Sequence, residues 1–349
     1  MHGEARIVTN SVTMLEALGG EDRCRQLSAT FYARVSKDPV LKRLFPGKSV
    51  RCATEEFAAY LIQFLGGDEV QTQKRWWLSL GESHARFRIG PEERAAWLAH
   101  MAATLDEMPL GELARSGLKQ FFVQTSGYVA SGSEAKPEQE ELSTRWQEQR
   151  VLDAAIAAIA ARRCDEAIAL AQRFVPRTTV FVGLLARMLK IAEPELIRFV
   201  VDAVESNTLL TSSRFSGRTL LHFAAGAGSV EVVKTLLQLG ADVDALQTTG
   251  HTPLYCVANE CGTEAGPMIV RALARAGANV NACGGVTRAT PLHMAARRGF
   301  VATAETLLDC GAAIGARDKK GDTPLQRAMN CRQDALVRLL KDRGSRSSR

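Results

Sequence analysis

Six histidines (His2, His84, His100, His222, His251 and His293) and eight cysteines are the side chains of this 349-residue chain best able to ligate a metal or attack a substrate. An imidazole nitrogen can bind a metal or carry a proton near neutral pH, and a thiolate can do either as ligand or nucleophile. Spacing decides whether such groups act together. The cysteines are separated by 28, 112, 92, 5, 22, 27 and 21 residues, which makes neither a disulfide framework nor a CxxC metal knuckle. They read as reduced, mostly buried small hydrophobes. No HExxH zinc helix, GxSxG nucleophile turn or Gly-rich phosphate loop occurs. A lone histidine is more often a surface or core residue than a ligand, so His2, His100 and His251 read as structural, and so would His84 on spacing alone.

The chemistry must therefore come from the elements that position these residues. At about 150 residues per domain the length implies about two domains. With 46% hydrophobic and 23% charged residues the composition is that of a globular protein and excludes collagen-like and wholly disordered classes. The longest uncharged apolar runs, Ala154 to Ala161 and Thr178 to Ala186, are about half of what a bilayer span needs. The opening MHGEARIVTN lacks the apolar stretch of a secretory leader, so a cytoplasmic protein with no membrane partner is expected. Net charge is +1 over residues 1 to 130, −1 over 131 to 216 and +6 over 217 to 349. Part of that surplus sits in the tail Lys341 to Arg349, which reads as a solvated end and does not argue for nucleic acid.

Self-similarity organises the last third. Thr219-Leu220-Leu221-His222, Thr252-Pro253-Leu254-Tyr255, Thr290-Pro291-Leu292-His293 and Thr323-Pro324-Leu325-Gln326 recur at Thr spacings of 33, 38 and 33. Each is followed by an apolar helix and a glycine stop, at Gly240, Gly277, Gly311 and Gly344. The longer unit is a 33-residue one with four residues inserted around Asn259 to Pro267 and one in the Cys283-Gly284-Gly285 loop. Threonine caps a helix, proline suits its first turn and glycine supplies a left-handed exit. The pattern resembles ankyrin repeats. It implies a solenoid of stacked helix pairs whose concave face and loop tips bind an unknown protein partner. Leu246, Gln247, Arg288, Arg317, Lys319 and Lys320 are the candidate contacts at those tips. His222 and His293 fall where ankyrin histidines bond to a neighbouring loop, which makes them structural. Cys256 and Cys261 read as packing. A weaker unit over 178–216 reads as the capping repeat.

Residues 1 to 130 carry helical periodicity. Phe57, Tyr60, Leu61, Phe64 and Leu65 form one stripe, and Trp97, Met101, Leu105 and Met108 another. Double glycines at Gly19-Gly20 and Gly66-Gly67 punctuate the helices. Between this region and the repeats, SGSEAKPEQEE (131–141) is polar and reads as a mobile boundary, and the Ala-rich stretch 142–174 as a helical spacer ending before Pro176.

The ordered string Leu18-Gly19-Gly20, Phe31-Tyr32, Asp38-Pro39-Val40-Leu41, Leu44-Phe45-Pro46, Phe64-Leu65-Gly66-Gly67, His84 with Phe87-Arg88-Ile89, and Trp97-Leu98-Ala99-His100-Met101 resembles a truncated haemoglobin of the second subgroup. The likeness covers about 110 residues. It implies an all-α chain: a 2-over-2 globin domain over 1–130, a linker and spacer over 131–177, the capping repeat over 178–216 and about four ankyrin repeats over 217–349. It also implies haem b, with His84 as the proximal iron ligand and its second ring nitrogen fixed by an acceptor. Tyr32 and Trp97 match the distal donors, each a single O–H or N–H on an apolar body, suited to holding O2 or another diatomic gas in a dry pocket. Phe45 matches the ring packed on the haem face, where many relatives carry tyrosine. Ala53 replaces the distal histidine of larger globins, with Phe57 one turn beyond it. Gln73 to Gly81, with Trp76-Trp77, departs from the His-Pro turn common in relatives.

Three functions follow from these residues. The first is a gas-binding globin tethered to a protein-binding array, for sensing or for localised oxygen chemistry. The second is an enzyme, a nitric oxide dioxygenase or peroxidase-like protein, which would need an external reductase because no flavin or nicotinamide fingerprint is present. The third is an adaptor whose globin domain has lost haem.

Overall fold

The computed structural model describes residues 14–45, 49–65, 84, 89–131 and 140–347. His2, Pro46, Gly66-Gly67, Gln73 to Gly81, Phe87-Arg88 and residues 132–139 of the joining stretch lie outside the described residues. The chain divides into two units, Met1–Asp153 and Ala154–Arg349.

In the first unit α1 (Met14–Leu18), α2 (Glu21–Val35), α3 (Pro39–Lys42), α4 (Ser49–Phe64), α5 (Pro91–Glu107) and α6 (Glu112–Ser131) are joined by the start of α7 (Glu140–Ala160). Gly19 and Gly20, at φ of 98° and 82°, make the reversal between α1 and α2 in a region that side chains avoid. Asp38 caps α3 by accepting from the Val40 and Leu41 amides, each at 2.8 Å. Its other oxygen lies 2.8 Å from His100 Nε2, which ties α3 to α5 and gives His100 the structural role expected of it. That contact, ahead of the amides, holds the Asp38 carboxyl below its ordinary value. Helix α2 packs on α4 and α5, and α5 on α6. The two stripes read from sequence are buried there: Tyr60, Leu61, Phe64 and Leu65 on one side, Met101, Leu105 and Met108 on the other. The division after Asp153 falls inside the stretch read as a spacer, because Trp146 is 1% exposed in the first unit's core, edge-on to Phe121 and Tyr128.

The second unit takes the end of α7, then α8 (Cys164–Gln172), α9 (Thr178–Ile191) and α10 (Pro194–Ser206), a 3-10 turn at Thr208–Thr211, and a hairpin of β1 (Arg214–Phe215) and β2 (Arg218–Thr219) that pairs Arg214 with Thr219. Four helix pairs follow: α11 (Leu220–Ala227) and α12 (Val230–Gln238), α13 (Pro253–Glu260) and α14 (Ala265–Arg275), α15 (Pro291–Arg298) and α16 (Val301–Asp309), α17 (Pro324–Asn330) and α18 (Asp334–Ser347). First helices stack in one row, second helices in another, and α9 with α10 continues both rows. This is the nearest-neighbour architecture of a solenoid, in which no pair buries its own apolar face. In the 38-residue unit, two of the four inserted residues lengthen the connector between α13 and α14, and two lengthen α14 itself, relative to the first pair.

Threonine opens each repeat as anticipated. Thr252, Thr290 and Thr323 accept from the amides of Tyr255, His293 and Gln326, with proline in the first turn. His222 closes the cap from the other side: its Nδ1 accepts from the Thr219 amide at 3.2 Å and its Nε2 donates to the His251 carbonyl at 3.1 Å, one repeat along. His293 does the same between the Thr290 amide and the Asp322 carbonyl, at 3.2 and 3.0 Å. These bonds need a neutral ring. Burial pushes His222 down to about 4 and lowers His293 too.

The sign of the resulting pH dependence is fixed. Below about pH 6.5 the unfolded chain takes up protons that folded His222 and His293 refuse, so repeat stability falls as pH drops from 6.5 toward 4. For His222 alone the full loss is roughly 3 kcal/mol. The fourth repeat already uses a non-titrating residue at this position, Gln326, whose Oε1 accepts from the Thr323 amide at 2.7 Å. Urea unfolding of the full chain should therefore show a steep loss of repeat stability between pH 7 and 5 that flattens in His222→Gln/His293→Gln. An unchanged acid limb would mean that these rings are not kept neutral.

Candidate functional site

Helices α2, α4, α5 and α6 do not fill the space between them. They enclose a cavity with about 160 Å³ of room at its centre, within a cleft of about 1200 Å³ counted out to its open mouth. Tyr32 reaches it from α2, Phe45 from the turn after α3, Ala53 and Phe57 from α4, and Trp97 from α5. His84, itself helical, lines the same cavity. All six residues singled out in the sequence are thus brought to one place.

Local sequence explains the placement. Phe31 and Tyr32 are consecutive on α2, so one must turn inward and the other sideways; Phe31 is 1% exposed, and Tyr32 opens to the cavity. On α4, Ala53 and Phe57 are four residues apart and share a face. Phe57 is the hub of the aromatic wall, with ring centroids 5.8 Å from Phe31, 6.2 Å from Tyr32, 6.4 Å from Trp97 and 6.3 Å from Phe122. Tyr32 meets Phe45 edge-on at 5.6 Å, and Trp97 meets Phe122 at 5.5 Å. Such edge-on contacts each contribute about 0.5–1.5 kcal/mol beyond area burial and hold ring orientations.

The polar groups inside this wall are few. Neither the Tyr32 hydroxyl nor the Trp97 indole N–H has a hydrogen-bond partner among the described residues. Both donors open onto a mostly apolar cavity, so they fit a ligand that supplies the acceptor. Burial, and after it the Glu56 carboxylate, raises the Tyr32 phenol well above its ordinary value, so it stays a protonated donor at any neutral pH. A contrasting tyrosine sits nearby: Tyr128 donates to Asp153 Oδ2 at 2.7 Å, and Gln149 satisfies the other oxygen at 2.9 Å. Arg94, also at the cavity, is committed to Ser126 Oγ and the Val123 carbonyl, each at 2.9 Å. No cluster of three or more metal-ligating side chains occurs among the described residues. One imidazole in an aromatic, mostly apolar cavity, with Glu56 and Glu93 also in its lining, suits a flat apolar group with a metal at its centre better than an all-protein metal cage.

Sequence reasoning missed Tyr60, Phe122 and Trp146 as lining residues. Tyr60 was visible as part of the α4 stripe. Trp146 carried only one signal, a lone large aromatic in an alanine-rich stretch.

The repeat-tip residues are placed apart from this cavity, on the second unit's loops. Leu246, Arg288, Arg317, Lys319 and Lys320 are exposed. Gln247 is half-buried and spent within its own turn, its amide bonded to the His251 carbonyl and its side chain to Thr249 Oγ1. The tips are linked, since the Lys319 amide donates to the Thr287 carbonyl at 2.9 Å.

Residues 13–126 match the family of bacterial-like globins, and residues 186–282 and 263–348 match ankyrin repeats in three copies. Group 2 truncated hemoglobin YjbI of Bacillus subtilis is 32% identical over 117 residues, which cover 34% of this chain and 88% of that protein. B-cell lymphoma 3 protein homolog of Mus musculus is 32% identical over 158 residues, 44% of this chain and 33% of that protein. Ankyrin repeat and SOCS box protein 16 of Homo sapiens is 34% identical over 116 residues, 33% of this chain and 25% of that protein. The chain thus spans a third or less of these two ankyrin relatives.

The two tyrosines should respond oppositely to loss of their hydroxyls. Tyr32→Phe removes a group with no partner among the described residues and should leave thermal stability of the ligand-free chain within about 0.5 kcal/mol of wild type. Tyr128→Phe removes a bond to a buried carboxylate and should cost roughly 1.5–3 kcal/mol. Equal losses in chemical denaturation would show that Tyr32 has a structural acceptor.

Proposed function

The chain belongs to the truncated haemoglobin family and carries ankyrin repeats behind its globin unit, and from that premise we propose that the cavity binds haem b through His84 and that Tyr32 and Trp97 hold a diatomic gas, O2 first, on it. Haem supplies an iron that binds such gases; everything else is done by this chain's own residues. His84 would offer one imidazole nitrogen to the iron, and an acceptor on the second would fix the ring. Phe45, Ala53 and Phe57 present apolar surface to the haem and keep water out. Tyr32 Oη and Trp97 Nε1 donate to the far atom of the ligand, which carries partial negative charge. That neither donor has an acceptor among the described residues is the observation that carries the reading. In a dry cavity a hydrogen bond to a charged or strongly polar atom contributes roughly 1.5–3 kcal/mol, so each donor slows ligand loss about ten- to a hundredfold.

The ankyrin array, on the same reading, is the output: its tips and concave face bind a protein, and the globin either reports its ligand state to that partner or does its chemistry beside it. Reporting requires different partner affinities for the liganded and unliganded globin.

Purified protein should take up one haem and show a sharp shift of its main absorption band when reduced and exposed to CO, and His84→Ala should weaken or abolish that shift. O2 should leave Tyr32→Phe and Trp97→Phe at least about tenfold faster than wild type. Failure to bind haem stoichiometrically, or spectra indifferent to His84→Ala, would overturn the assignment.

A further inference from the structure

The repeat that breaks the 33-residue period also builds a pocket. Its extra loop residue lies in Cys283-Gly284-Gly285, and this tip presses on the preceding one so closely that only glycine fits. A Cβ on Gly284 would fall 1.6 Å from the Gly250 carbonyl oxygen, and one on Gly285, at φ 67°, would fall 2.5 Å from the His251 ring. His251 is thereby pinned flat on Tyr255, ring centroids 3.8 Å apart and planes within 3°. Between the two tips lies a pocket of about 260 Å³ bounded by Leu246, His251, Tyr255, Ala282 and Cys283. His251 Nδ1 is buried with no partner among the described residues. At and beside the rim, Leu246 is 56% and Val286 81% exposed.

Cations outnumber carboxylates around the pocket. The Tyr255 phenol lies within the fields of Arg297, Arg298 and Arg327. Arg327 is neutralised by Asp318 and Asp322. Among the described residues Arg298 bonds only the neutral Asn259 amide oxygen, at 3.0 Å. Arg288, Arg297, Lys319 and Lys320 form no ion pair among the described residues, and the Lys319 amide bond to Thr287 sets that tip beside Arg288. Carboxylates of the same loops are already engaged: Asp244 accepts the Asn279 amide, and Asp318 and Asp322 hold Arg327.

We infer that this pocket and its cationic border bind an acidic protein segment that seats one aromatic side chain between Leu246 and Tyr255 and lays flanking carboxylates on Arg288 and Arg297. This rests on the reading of the repeats as the protein-binding part and names the chemistry of the partner. An aromatic anchor in a small pocket ringed by charge is how interfaces concentrate affinity and orientation. A nucleic acid is the poorer match. Exposed Leu246 and Val286 and a recessed pocket offer a phosphate backbone nothing.

The test measures fluorescence anisotropy of the full chain with four labelled probes: a Glu/Asp-rich peptide with one central Phe, the same peptide with Phe→Ser, the same with its acids replaced by Gln and Asn, and an oligothymidine. The acidic Phe peptide should bind, with the Ser and the neutral peptides each at least about tenfold weaker. Leu246→Asp and Arg288→Glu/Arg297→Glu, all at exposed side chains, should each weaken it at least about tenfold while leaving the helical circular dichroism unchanged. A neutral Phe peptide that binds as tightly would overturn the acidic partner yet keep a protein-binding surface. Tighter binding of the oligothymidine would make this a nucleic-acid face. No peptide binding at all would overturn both this inference and the broader reading of this face.

Discussion

The structure depends most on a space it declines to fill. Four helices meet around Phe57 with enough aromatic bulk to make a rigid wall and not enough to close it. Interiors pack to crystal-like density, and an unfilled cavity costs stability in proportion to its size. A wall of edge-on and tilted rings keeps the cavity from collapsing, and it leaves the Tyr32 O–H and Trp97 N–H facing a mostly apolar space. That arrangement suits a protein that holds a ligand, which is why the proposal rests on Tyr32, without a hydrogen-bond partner among the described residues, and not on the well-bonded Tyr128.

The second unit obeys a different constraint. No helix pair there can bury its own apolar face, so each repeat is completed by the next, and the contacts that cross between repeats matter most. His222 and His293 reach from one cap to the following loop and must stay neutral to do so. The same loops that receive those bonds form the tips, so the residues that stiffen the array also set the geometry of its tips. At the second repeat this coupling is most visible: an inserted loop residue and two glycines bring the backbones together, pin His251 on Tyr255 and leave a pocket beside them.

Much of this was legible in the sequence because the signals were local and periodic. Thr-Pro-Leu at fixed phase gives caps, stacking order and the neutral histidines; the four-residue spacing of Ala53 and Phe57 gives a shared helix face; and the ordered string from Leu18 to Met101 brought six residues to one cavity. What was not legible arose from contacts distant in sequence. Trp146 belongs to the first unit's core because it meets Phe121 and Tyr128, and nothing in its alanine-rich neighbourhood announces that. His100 looked like an unremarkable helix residue until Asp38, 62 residues earlier, was seen to bond it. Gln247 reads as a free contact residue, but its side chain is used inside its own turn.

The central claim is that Tyr32 and Trp97 are donors held in reserve for a ligand at His84. Their donation can be read from the ligand itself, through the infrared stretch of CO on the haem-loaded, reduced protein, since a donor aimed at the far oxygen weakens the carbon–oxygen bond. The account predicts a low stretching frequency in wild type, raised by Tyr32→Phe, raised by Trp97→Phe and raised furthest in the double variant. A frequency unchanged by both substitutions would contradict it, for the two side chains would then be aromatic wall and nothing more.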